Sequence, residues 1–79
     1  MNTLKINYNP FDGSELLTAD EGLANLQGTI KQDPGQYLNI LETMFWKVMS
    51  DNKLDSSFKE NSYTLFREIN AVMLASINQ

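Results

Sequence analysis

The sequence predicts an all-α protein: a small three-helix bundle, made of an antiparallel helical hairpin and one shorter helix, behind an extended N-terminal arm. Two observations carry that prediction. Apolar residues recur at helical spacing in three segments, about 19–32, 34–50 and 57–77. Each segment is preceded by residues suited to cap a helix: Thr18, then Asp33, then Asp55 or Ser57.

The arm comes first. "LKINY" alternates Leu4, Ile6 and Tyr8 with Lys5 and Asn7, a short strand-like pattern. In "NPFDG", Pro10 biases Asn9 away from helix and Asp12-Gly13 signals a turn. Residues 1–17 therefore read as an extended arm with a turn. A lone strand has nothing to pair with, so the arm is expected to lie on the helices or on another molecule.

Thr18 opens the first helix, and Glu21 three residues later has the spacing of a capping box. The apolar stripe is narrow (Ala19, Leu23, Leu26, Ile30), and Gly28 inside it costs about 1 kcal/mol relative to Ala. "DPGQ" ends this helix and starts the next. Asp33 is a good N-cap, Pro34 suits the first helical position, and Gln36 completes a second capping box.

The second helix carries Tyr37, Leu38, Ile40, Leu41, Met44, Phe45, Val48 and Met49 over an arc of roughly 180°. Such an arc is wide enough to meet two neighbouring elements. "SDNKLDSS" then turns the chain. On the last helix Phe58, Leu65, Phe66, Ile69, Val72, Met73 and Ile77 share a face. Asn61 and Ser62 are poor helix formers, so its first turns are expected to fray or start late. The second and third helices form the antiparallel hairpin, and the first packs across it.

With 79 residues the chain is a single domain, 1–79, with its helical core at 18–79. A chain this short buries only about 60% of the surface that its unfolded form exposes. There is no Cys and no His, so no disulfide, no thiolate metal site and no imidazole base. Helix packing and association are the stabilising devices left. Six Lys and Arg against ten Asp and Glu give a net charge of −4, without the basic footprint that nucleic acid binding needs. The N-terminus lacks a signal-peptide apolar run, and no stretch approaches the roughly 18 apolar residues of a membrane span. The expectation is a cytoplasmic protein, with signal-independent export left open.

Chemistry-bearing constellations are few. Asp12, Glu15, Asp20 and Glu21 do not fit a calcium loop: with Gly13 at the glycine position, Tyr8 and Pro10 stand where carboxylates belong. Glu42, Asp51, Asp55, Glu60 and Glu68 are spread along the helices rather than paired. No catalytic residue, cofactor or metal is expected, and the protein is read as non-enzymatic.

Two stretches bear family resemblances. In "LDSS", Asp55-Ser56 at a helix start is similar to the Asp-Ser-Leu motif of acyl carrier proteins, although Ser57 and Phe58 follow instead of Leu and a helix cap accounts for both serines. The resemblance implies a phosphopantetheine carrier. "KQDPGQYL" and "FREINAVMLASINQ" resemble the plan of type III secretion needle and inner-rod subunits, helical hairpins that turn at an Asp-Pro or Asn-Pro. That resemblance implies a self-assembling structural subunit, with the turn at 50–57 extra to its plan.

Trp46, the only tryptophan, lies roughly 150° from the centre of the apolar arc, on the side of Asn39, Thr43 and Ser50. Either the arm covers it, with Phe11 as the cover, or it is an exposed anchor for a partner. Tyr63, Arg67 and Leu74 form a similar stripe off the main face of the last helix. Met44, Met49 and Met73 stand at helical spacing beside Leu, Ile and Phe and read as core rather than as a pliable groove. The leading functional expectation is a small acidic interaction factor (inhibitor, adaptor, immunity-type or chaperone-like, of phage or bacterial type). It would dock on a larger protein through Trp46, Tyr63, Arg67, Leu74 and Phe11.

Overall fold

A computed structural model describes residues 6–78. Within them lie three helices, α1 (Ala19–Gln32), α2 (Pro34–Met49) and α3 (Ser56–Ile77). Together they form the small three-helix bundle. Among the described residues no helix is long and apolar enough to cross a membrane.

Local chemistry sets the helix starts. Thr18 is extended, and its hydroxyl accepts the Glu21 N–H at 3.1 Å. The Glu21 carboxylate in turn accepts the Thr18 N–H at 3.0 Å, closing the capping box. The Thr18 N–H first, and the Thr18 hydroxyl after it, lower the pKa of the Glu21 carboxyl from its ordinary value. Asp33 ends α1 and opens α2. Its carboxylate accepts the Gln36 N–H at 3.3 Å, with Pro34 at the first helical position.

The third start corrects the expected boundary by one residue. Asp55, not Ser57, is the cap: its carboxylate accepts the Phe58 N–H at 2.7 Å, and both serines lie inside α3. Nor does α3 start late. Ser62 and Thr64 donate their hydroxyls to the carbonyls of Phe58 and Glu60, at 2.9 and 3.3 Å, so these polar side chains find partners on the helix itself. Asp55→Ala should therefore cost about 1 kcal/mol. Ser57→Ala should cost at most a few tenths, and urea unfolding of both variants checks the assignment.

α2 stops at Met49, one residue before the expected end, where the Ser50 N–H and hydroxyl both bond the Trp46 carbonyl. Asp51 then accepts the Lys53 N–H at 2.9 Å and tightens the turn.

The N-terminal arm is not extended throughout. Tyr8 and Glu15 make an antiparallel bridge, and the Asn9 N–H bonds the Ser14 carbonyl at 2.9 Å. Asn9 and Asp12 each accept a backbone N–H two residues on, and Gly13 takes φ +76°, which an L side chain rarely adopts. The arm's pairing partner is thus the arm itself. Leu4 and Lys5, part of the expected strand, lie outside the described residues.

α2 and α3 share the largest interface, and α1 leans more on α3 than on α2. Among the described residues the buried ones are Ile30 of α1 and Met73 and Ser76 of α3. The Ser76 hydroxyl donates to the Val72 carbonyl at 2.8 Å, so it is buried with a partner. The predicted core faces are only partly used. Phe58, Leu65 and Val72 of α3, and Ile40 and Met44 of α2, belong to those faces but are exposed. The radius of gyration is 14.7 Å, against about 12 Å for a compact domain of this length.

Candidate interaction faces

The α2–α3 hairpin presents two different faces. One is organised by Phe45. Its ring stacks on Phe66 (4.3 Å between centroids, 19° between planes). It also meets Trp46 edge-on at 5.4 Å and Tyr63 at 6.1 Å. Phe45 and Phe66 are half-buried and form the base of this face. On it stand Tyr63 and Trp46, both more than half exposed, Trp46 at 59%.

The Arg67 guanidinium lies 6.0 Å from the Tyr63 ring centroid, within cation–π range. Leu74 is seven residues after Arg67, two helical turns along nearly the same line of α3, and is exposed. Beside Tyr63 opens a shallow depression of about 520 Å³, lined by Met49, Ser56, Lys59, Glu60, Tyr63 and Thr64.

The structure therefore brings Trp46, Tyr63 and Arg67 together through Phe45, with Leu74 further along the same side of α3. Phe11 does not join them. It is 94% exposed at the tip of the arm's turn, so it touches almost nothing and does not cover Trp46. The Asn9 and Asp12 turns account for this, because they fold the arm on itself.

The other face was not singled out by the sequence. It is a groove of about 210 Å³ between Leu41, Met44, Phe45 and Val48 of α2 and Ser62, Leu65, Phe66 and Ile69 of α3. Met44 and Leu65 on its rim are 60% and 61% exposed. Periodicity had marked these residues as core. The sequence does carry a second pattern there: Phe58, Ser62, Leu65, Ile69 and Val72 alternate spacings of four and three. The three helix methionines differ: Met73 is buried, Met49 half-buried and Met44 exposed.

Neither depression gathers paired carboxylates, and among the described residues no group of three or more His, Cys, Asp or Glu stands together to hold a metal. Compared with protein-family models, curated proteins and solved structures, the chain matches none.

Proposed function

We propose that the protein is a small non-enzymatic interaction factor that docks on a larger protein through Trp46, Tyr63, Arg67 and Leu74. The observation that carries this reading is the half-exposed Trp46–Tyr63–Arg67 group on a packed Phe45–Phe66 base. Trp, Tyr and Arg dominate binding energy where they are held rigid and can be desolvated. Both exposed rings contact Phe45, which limits their rotamers before docking and so lowers the side-chain entropy lost on docking. Lys59 and Glu60 beside Tyr63 supply the polar rim of such a site. Phe11 is a second apolar contact on a separate, short lever.

A photo-crosslinking residue at position 46, introduced in the cells that make the protein, tests the reading. It should give one saturable crosslinked species with a heavier protein, lost on Arg67→Ala and kept on Glu68→Gln. Crosslinking that is diffuse, or insensitive to Arg67, overturns it.

A further inference from the structure

We propose that two copies of this chain pair through the open apolar face of the α2–α3 hairpin, on the opposite side from Trp46. Four observations support a second copy as the occupant. The first is spacing. On α3 the stripe of Phe58, Ser62, Leu65, Ile69 and Val72 advances by four and three, the period of a helix–helix seam. On α2, Tyr37, Leu41, Met44 and Val48 do the same. Packing within the chain uses only the inner flank of each stripe and leaves Met44 and Leu65 bare.

The second is charge. A two-fold interface sets a patch against itself, so a charged patch repels its own copy. The groove is lined by no charged residue although the chain carries a net charge of −4. It therefore offers a basic partner no attraction, and its own copy no repulsion.

The third is area. The accessible surface is 6683 Å², against about 4,900 Å² for a compact monomer of this mass. The exposed arm contributes to that excess, and so does the open face. A standard interface takes about 800 Å² from each partner. The fourth is the core. Among the described residues Ile30 and Met73 are the only buried hydrophobic ones. Without cysteine, helix packing and association are the devices left, and packing within the chain buries little. Two hairpins laid face to face then share one four-helix core.

This face and the proposed docking face share Phe45 and Phe66 as their base but expose different side chains, Met44 and Leu65 on one and Trp46 and Tyr63 on the other. Tyr63 and Leu65 are two residues apart, roughly 200° around α3. The two proposals can therefore fail independently.

Sedimentation equilibrium from micromolar to near-millimolar concentration, with thermal unfolding on the same samples, tests the pairing. The expected result is a monomer–dimer equilibrium, a Tm that rises with concentration, and a dimer at least 30-fold weaker in Leu65→Asp. Tyr63→Asp should leave dimerisation unchanged. Should Leu65→Asp fail to fold, the wild-type Tm decides: independence of concentration overturns the proposal. A chain that stays monomeric, a dimer indifferent to Leu65→Asp, or growth beyond a dimer overturns it too. A monomer that still crosslinks at position 46 would remove the pairing and leave the docking reading intact.

Discussion

Ile30→Ala should leave the protein largely unfolded at room temperature. Ile30 is fully buried, and with Met73 it makes up the buried apolar centre of the described residues. Truncating a buried isoleucine to alanine removes its transfer free energy and leaves a cavity, together about 2–5 kcal/mol. A domain of this size has about 5 kcal/mol or less in total. The loss thus takes most of the stability, and α1 loses its buried side chain. Ile30→Val should cost only about 1 kcal/mol and shift the denaturation midpoint without changing the fold. Circular dichroism and urea titration of both variants check the pair. An Ile30→Ala chain as stable as the wild type would mean that α1 contributes little to folding.

Trp46→Ala should do the opposite, sparing the fold and removing binding. The ring is 59% exposed, and its described aromatic contact is the edge-on one with Phe45. An aromatic pair of that kind is worth about 1 kcal/mol beyond area burial. Helicity should stay near the wild-type value, because position 46 lies inside α2 and alanine is the better helix former. Affinity for the partner crosslinked at this face should fall by about 2 kcal/mol or more, roughly 30-fold. The same residue reports on the free protein, since it is the only tryptophan. Its emission should be red-shifted and quenchable by acrylamide before the partner is added, and blue-shifted after. If Trp46→Ala instead unfolds the chain by several kcal/mol, Trp46 is core and the docking face is misplaced.

What could be read from the sequence follows the range of the forces involved. The Thr18–Glu21 box and the Asp33-Pro34 break involve groups within four residues of each other, so their chemistry is complete in a short window. The choice between Asp55 and Ser57 was less legible. Both offer a capping oxygen, and they stand only two residues apart. Of the arm's alternating residues, Tyr8 enters a bridge, and Leu4 and Lys5 lie outside the described residues. The arm's pairing was less legible, because the Tyr8–Glu15 bridge depends on two Asx turns and Gly13 acting together.

The candidate site divides in the same way. Off-stripe placement marked Trp46, Tyr63, Arg67 and Leu74. The Phe45–Phe66 stack that joins the first three lies between helices and has no local signature. Phe11 fails as a cover for Trp46 because the reach of a flexible arm says nothing about where it settles.

The sequence by itself determined that three helices form, where each begins within a residue, and which side chains share a face. Those properties depend on hydrogen bonds and periodicity inside single segments. Only the tertiary structure decided which half of each face is used. Met73 and Leu65 belong to the same predicted stripe, yet one is buried and the other is 61% exposed. Periodicity tells a residue which way to point, and the packing of one helix on another settles whether anything is there to meet it.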